Sequence, residues 1–417
     1  MSRHILRPLR HKPWPQSETS ARDVDQGFIQ EQTAPYTSLK CFYPMQMGEV
    51  LDHRYQVTAK LGCGAHSTVW LARDLWYWRW RPDVYVAIQV SVTGDTDEAG
   101  AGPEEPVKLQ HISAANRRHP GRDLVSIILD NFHLKGPACQ HLCMVFEPLR
   151  ELLGLIKYKF TTEMISVPLP KVVARQVLQA LDYLHNECHI IHCDLSESNI
   201  IFNFAEKYRH SILDQHSKDE RTDSLPVKRL TDRVIYLPHN DFGPLVPHIG
   251  AAIVLDFDSS VRGDSDEDRN HDIQPQGLTA PEVMLRAGWS YSADVWIFGA
   301  LICGLMGGEP LFDDANRKHW QEFSEPLSMA RMIAFMGPPP TELLERSARL
   351  ANFFEGDVFK FPQLVPEDCS FDTFFARVEG DEKEEFVAFA KRMFTWLPEN
   401  RATAAELLAD PWLRRDR

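Results

Sequence analysis

The sequence predicts an α+β fold in two lobes, the first built on an antiparallel sheet and the second mainly helical. Three observations carry this expectation. Residues 55–95 hold three runs rich in β-branched and aromatic residues, "YQVTAKL", "STVWLARD" and "YVAIQVSV". After Leu149 the apolar period turns helical, and "PKVVARQVLQALDYLHNE" sets Val173, Val177, Leu178, Leu181 and Leu184 on one face. The chain has 417 residues, 43% of them hydrophobic and 25% charged, which is ordinary globular composition and enough length for a large core. A sheet-rich first third followed by a helical remainder is the α+β pattern.

The elements follow in order. "MSRHILRPLRHKPWPQSETSARD" is basic, with no acid before Glu18, so residues 1–40 are expected to be a disordered basic tail. An Arg-rich, acid-poor start also fits a mitochondrial transit segment, the lesser expectation beside a cytoplasmic or nuclear address. Order is expected from "CFYPMQMGEVLDHRYQV", with a first lobe over 41–149 and a second over 150–415. Between the second and third strands, "LWYWRWRP" reads as an aromatic hairpin turn packed on the body. Residues 97–106 read as a loop leading into a helix at 105–118, and "LVSIILDNFHL" and "HLCMVFEPL" as two further strands. Pro170 suits the start of the first long helix, and Ser292 to Trp412 is mostly helical in pattern.

The net charge of −14 argues against general nucleic-acid affinity and is compatible with a basic partner. The eight cysteines form no CxxC pair and are expected to be reduced thiols. No apolar run approaches the length that crosses a membrane as a helix.

Three motifs carry chemistry and a fourth braces them. "LGCGAHSTVW" sets Gly62 and Gly64 between two strands, where absent side chains let backbone N–H groups approach a phosphate. Ser67 stands at the third glycine of the G-x-G-x-x-G-x-V pattern, and Val69 fits it. "HCDLSESN" matches H-R-D-x-x-x-x-N at His192, Asp194 and Asn199. Asp194 is then the acceptor of a substrate hydroxyl proton, and Asn199 a magnesium ligand. "IVLDFDSS" puts Asp256 and Phe257 at the first two places of D-F-G, with Asp256 as the second metal ligand. "LTAPEVML" supplies Ala280, Pro281 and Glu282, and Arg401 in "LPENRATAAELL" is placed to pair with Glu282 as a buried brace.

With these residues in view, the chain resembles a eukaryotic protein kinase over roughly residues 41–415, and within that class the serine/arginine-rich protein kinases, especially compact fungal ones. "FYPMQMGEVLDHRYQVTAKLGCGAHSTVWLARD", "HPGRDLVSIILDNFHLKGP", "ARQVLQALDYLHNECHIIHCDL" and "DIQPQGLTAPEVML" carry the resemblance. It implies ATP and Mg2+ as cofactors and a hinge near Phe146, Glu147 and Leu149. It implies nucleotide-binding roles for Leu61, Gly62, Gly64, Val69, Ala87, the position of Gln89, Glu105, Glu147 and Leu149. It further implies a monomer that phosphorylates serines in arginine-rich protein segments, with no direct nucleic-acid or membrane partner. The polar stretch 203–248 corresponds to an insertion between the catalytic and metal-binding loops, expected as a surface flap.

Departures from the family pattern are specific. "VAIQV" puts Gln89 where the family has a lysine that holds phosphates and pairs with a helix glutamate, here Glu105. An amide brings no charge, and a charge-assisted hydrogen bond is roughly twice as strong as a neutral one. Ser196 replaces a second lysine, Asp258 replaces the glycine of D-F-G, and Leu278 and Thr279 replace an aromatic and a basic residue before A-P-E. Cys193 stands where many kinases carry an arginine that reads activation-loop phosphorylation. The glycine loop itself offers only His66 and Ser67 in place of the lysine missing at position 89, and Lys60, before the loop, is not expected to reach. Two expectations follow: a serine/threonine kinase of reduced activity, or a pseudokinase acting as scaffold or regulator.

Overall fold

The computed structural model describes residues 9–15, 22–23, 41–64, 66–92, 104–137, 139–156, 169–222, 226–230, 233–245, 247–265, 269–312, 324–378 and 380–414. The loop expected at 97–106 lies outside the described residues up to 103, as do most of 1–40 and parts of 203–248. The longer helices are, in chain order, α1 (Glu104–Ala114), α2 (Leu169–Tyr183), α3 (Glu206–Thr222), α4 (Ser292–Gly307), α5 (Glu325–Met336) and α6 (Asp381–Lys391). The chain divides into two compact units, 1–113 with 126–151 and 202–251, and 114–125 with 152–201 and 252–417. This differs from a cut at residue 149. The insertion groups with the first unit, and 114–125 with the second.

The first unit is built on a six-stranded antiparallel sheet. Its strands, in spatial order, are β1 (Val50–Leu51), β2 (Tyr55–Cys63), β3 (Ser67–Asp74), β4 (Tyr85–Ser91), β6 (Gln140–Phe146) and β5 (Asp130–Lys135). Alternation in β4 sends Val86, Ile88 and Val90 to one face, where they join Tyr55, Val57, Trp70 and Val145 in a core. Tyr85, Ala87 and Gln89 therefore point to the other face. A bulge between Val57 and Ala59 re-aims β2, so Ala59 and Leu61 join that second face with Leu71 and Tyr85.

Only the second half of "LVSIILDNFHL" becomes strand. Its first residue, Leu124, ends a 3-10 turn, Pro120–Leu124, that precedes the stretch. At Gly121 in that turn a Cβ would lie 1.8 Å from the Gln179 carbonyl oxygen of α2, so the backbone packs flat on that helix. The helix expected at 105–118 starts at Glu104 and stops at Ala114.

The insertion is structured. Its helix α3 lays Leu213 against Ala59, Leu71 and Tyr85, and Phe204 and Phe242 complete that cluster. Thr58 Oγ1 and Ser217 Oγ share a buried 3.1 Å hydrogen bond, and the Tyr85 hydroxyl lies 3.0 Å from Asp214 Oδ1. After α3, strands β7 (Pro226–Arg229) and β8 (Val234–Tyr236) pair antiparallel. The Arg150 guanidinium, 1% exposed, donates through Nη2 to the carbonyls of Gly243 and Pro244, both at 2.6 Å. A guanidinium can satisfy several converging carbonyls at once because its donors are fixed in a planar fork.

Residues 9–15 fall in the stretch expected as a disordered tail, yet they are docked. Trp14 N donates to Gln56 Oε1 at 2.8 Å, and Gln56 Nε2 returns a bond to Trp14 O at 2.9 Å. Arg73 stacks over the Trp14 ring and donates to Lys12 O. Arg10 lies over Trp76 in the aromatic turn, where Trp78 and Trp80 stack on each other at 5.3 Å. The aromatic turn is thus a platform for the chain's own N-terminal segment. Ion–aromatic contacts supply the docking energy that composition alone did not suggest.

In the second unit, α4 is apolar on all sides and buried on all sides, as such a helix must be. α2 and the turn that follows it bury the predicted face: Val173, Val177, Leu178, Leu181 and Leu184 are at most 1% exposed. Trp296 stacks on Phe312 and meets Phe394 edge-on.

Candidate active site

The predicted site residues fall into two groups, one in each unit. In the first unit, Leu61, Val69 and Ala87 lie on the sheet face that also carries Gln89. Gln89 sits opposite Val69 on β3 and Met144 on β6 and is half-buried. Its amide makes no hydrogen bond to Glu105, which lies 8% exposed at the start of α1. Gly62 and Gly64 have room that packing leaves unused: a Cβ at Gly62 would meet only Val69 Cβ at 4.0 Å. Gly64 N donates to Ser67 O at 2.8 Å and closes the loop. Glycine here is not required by the protein's own packing, which fits a loop that leaves space for a ligand. The apolar side chains fit an adenine and the open loop fits phosphates, but no cation stands at position 89.

Lys60 does not replace it. Its ammonium is 1% exposed, donates to Tyr236 O at 2.9 Å and lies 5.6 Å from the centre of the Trp70 ring. Trp70 belongs to the core on the opposite face, so Lys60 serves the insertion. At the predicted hinge, Glu147 is exposed and paired with Arg209 of α3 at 2.7 Å, and Leu149 is half-buried just before the Arg150 clasp.

In the second unit the catalytic loop is fully assembled. Asn199 Nδ2 donates to Asp194 Oδ2 at 3.0 Å and to Asp194 O at 2.8 Å. Asp194 N donates to His192 Nδ1 at 3.2 Å, which puts the His192 proton on Nε2, 3.1 Å from Leu255 O. His192 also faces the Phe257 ring at 5.2 Å. The chain before Asp256 is thereby joined to the loop that carries Asp194, and Leu255 N donates to Asn199 O at 3.0 Å. Asp256 has φ 69 and Cys193 φ 68, left-handed conformations that a side chain adopts only when its surroundings hold it there.

Burial raises the Asp194 carboxyl above its ordinary pKa, partly offset by His192 and by the Asn199 hydrogen bond. Burial also raises Asp256, and the neighbouring Asp258 carboxylate raises it further. Asp258 N lies 3.4 Å from Asp256 Oδ1, while its side chain is exposed. Asn199 and Asp256 offer the oxygen ligands that Mg2+ takes, so the donor set fits that ion. At the place of the second missing lysine, Ser196 Oγ and Ser198 Oγ share a 2.7 Å hydrogen bond.

Two buried side chains, Asp294 and His185, brace the catalytic loop from behind. Asp294 is 0% exposed and accepts from His192 N at 2.7 Å and Cys193 N at 2.9 Å, while His185 Nε2 lies 2.9 Å away. A carboxylate at the start of an otherwise apolar buried helix was the available signal, since such a charge must find donors. His185 reaches it from a π-turn, Leu184–Cys188, that ends α2. The expected brace is present as a bidentate pair: Arg401 Nη1 and Nη2 donate to Glu282 at 2.7 and 3.0 Å, both side chains at 0% exposure. Before Ala280, the Gln274 amide accepts from Ala280 N and donates to Ala293 O, which fixes the segment carrying Leu278 and Thr279.

The comparisons with known proteins agree with this geometry. The protein kinase domain family matches residues 245–413. A serine/threonine protein kinase of Aspergillus fumigatus is 34% identical over 393 residues, covering 92% of this chain and 91% of that one. The serine/threonine-protein kinase SRPK of Physarum polycephalum is 27% identical, covering 89% and 88%. A crystal structure of a kinase domain superposes with a TM-score of 0.65 at 20% identity, covering 90% of this chain and 99% of that one. With its antiparallel-sheet first unit, its helical second unit and its assembled catalytic loop, this chain belongs to the serine/threonine protein kinase family.

Proposed function

We propose that this kinase transfers the γ-phosphate of ATP to serines in arginine-rich protein segments, at a reduced rate. The observation that carries the reading is the catalytic loop, Asp194 held by Asn199 and His192 and braced from behind by Asp294, taken together with a glycine loop that its own packing leaves open and no lysine at position 89. Asp194 would accept the serine hydroxyl proton, and its raised pKa suits a proton acceptor. Asn199 and Asp256 would hold Mg2+, which supplies charge neutralisation at the phosphates. Leu61, Val69 and Ala87 would contact the adenine, and Glu147 and Leu149 would border it. Gln89 would donate a neutral hydrogen bond to a phosphate oxygen in place of an ammonium. The net charge of −14 supports a basic substrate, because complementary charge steers encounter.

A second reading, a pseudokinase acting as scaffold or regulator, is favoured by Gln89, Ser196 and Asp258 together, since two cations are replaced and an anion is added. The experiment that separates the two is radiolabelled phosphate transfer to an arginine–serine repeat peptide by the wild type and by Asp194→Ala. Transfer that disappears in Asp194→Ala establishes the kinase reading. No transfer by the wild type at any magnesium or ATP concentration leaves the pseudokinase reading standing.

A further inference from the structure

Three side chains of the insertion converge although kinase chemistry has no use for them. His216 and Glu220 lie one turn apart on α3, a spacing that puts both on the same helix face. His239 comes from the segment after β8. One ligand atom from each of the three lies within 4.8 Å of the others. His239 Nδ1 and Glu220 Oε1 are 2.5 Å apart, and the two imidazole rings are 4.9 Å apart.

We propose that His216, Glu220 and His239 form a binding site for a zinc-class divalent transition-metal ion, separate from the magnesium ligands. His216 is 6% exposed and its Nε2 has no hydrogen-bond partner, which is unusual for a buried imidazole nitrogen and is what a ligand awaiting a metal looks like. Burial, with His239 next to it, lowers the His216 pKa to about 4, so its ring is neutral and its lone pair free at physiological pH. Glu220 is 6% exposed and brings the anion that offsets the metal charge, and Asp219 and Asp241 add negative potential at His216. His239 is half-exposed, so an ion can enter from solvent and keep a water in its fourth position.

Two imidazoles and one carboxylate suit Zn2+, Co2+, Ni2+ or Cu2+, whereas Mg2+ and Ca2+ prefer oxygen alone. A tetrahedral ion with bonds near ~2.1 Å holds its ligand atoms roughly 3.4 Å apart. The short His239–Glu220 pair would open by about an ångström and His216 would close inward. A plain hydrogen-bonded Glu–His pair accounts for two of the three residues and leaves His216 Nε2 orphaned.

The site is tied to the sheet. His239 N donates to Lys60 O on β2 at 2.8 Å, two residues before Gly62, and the His216 ring packs on Phe242 at 4.7 Å. A bound ion would therefore clamp the end of α3 to the segment that braces the strand entering the glycine loop.

The test uses the full chain, stripped with a chelator, then titrated with Zn2+ in competition with a chromophoric chelator. Co2+ is titrated in parallel for its tetrahedral absorption bands, and thermal unfolding is followed throughout. The expected result is one tight equivalent of Zn2+ per chain, a raised Tm, and Co2+ bands of tetrahedral nitrogen–oxygen coordination. His239→Ala removes a half-exposed ligand without opening the core. It and Glu220→Gln should each weaken Zn2+ by more than ~100-fold, beyond what losing a group merely behind a ligand costs. Both variants should lose the metal-induced Tm shift, while excess Mg2+ should leave the wild type's Zn2+ affinity unchanged. The proposal is overturned if no equivalent binds, if both variants bind Zn2+ as the wild type does, or if the Co2+ spectrum shows thiolate ligation by the free cysteines.

Discussion

Gln89→Lys puts a cation at the position where the proposed function expects a phosphate contact. The amide is half-buried on β4 and makes no hydrogen bond to Glu105, so its replacement breaks no such bond, and half-exposure leaves the new ammonium partly hydrated. Strand pairing with Val69 and Met144 aims it across the same face as Ala87. A neutral hydrogen bond contributes about 0.5–1.5 kcal/mol and one to a charged group about 1.5–3 kcal/mol, a difference of about 1–1.5 kcal/mol. At about 1.4 kcal/mol per tenfold, Mg-ATP should bind roughly tenfold more tightly. Charge that develops during transfer amplifies the effect: one preorganised donor is worth on the order of 10²-fold in rate. The assay is calorimetric titration of Mg-ATP alongside phosphate transfer to an arginine–serine peptide, each with an Asp194→Ala control. If Gln89→Lys binds Mg-ATP no better than the wild type while remaining folded, the amide is not at a phosphate position and the reasoning fails.

Other substitutions probe the frame. Arg401→Met leaves Glu282 as an uncompensated charge at full burial and should lower stability by about 3–5 kcal/mol in urea unfolding; a loss below about 1 kcal/mol would show the pair to be dispensable. Asp258→Asn removes the second cause of the raised Asp256 pKa, so Mg2+-induced thermal stabilisation should persist to lower pH than in the wild type; an unchanged pH profile would show that Asp258 does not act on the metal ligand. Burial depresses the pKa of His141, whose Nδ1 lies 2.9 Å from Ser91 O. A lowered imidazole pKa contributes stability that is full above the unfolded value near 6.5 and is lost as pH falls through the folded one. The wild type should therefore lose stability from pH 7 toward pH 5, and His141→Asn should flatten that slope; parallel profiles would rule the residue out.

What the sequence made legible was local. His192, Asp194, Asn199 and Asp256 were read from spacing because each motif lies on one short segment whose geometry its own residues set. The strands around Gln89 were legible for the same reason, through their period of two. What stayed hidden depends on partners far apart in the chain. Lys60 is committed to Tyr236, 176 residues away, and nothing near "TAKLG" announces that. The insertion reads as polar and charged, yet its Leu213 and Phe242 join Phe204, Ala59, Leu71 and Tyr85 in one buried cluster on the sheet face. Asp294 was visible as an acid at a helix start, but its three donors come from residues about a hundred positions earlier.

The docked N-terminal segment has a practical consequence for anyone shortening the chain. Reading residues 1–40 as a dispensable leader invites a cut at Cys41. That cut would strip both partners supplied by Trp14 from the Gln56 amide, which is only 2% exposed. It would also remove the ring beneath Arg73 and the backbone carbonyl it donates to. Each buried group left unsatisfied costs about 1–3 kcal/mol. Strand β2, which runs from Gln56 to the glycine loop, is thus held at its far end by residues that look removable, and a fragment that keeps residues 9–15 is the one expected to retain the native sheet.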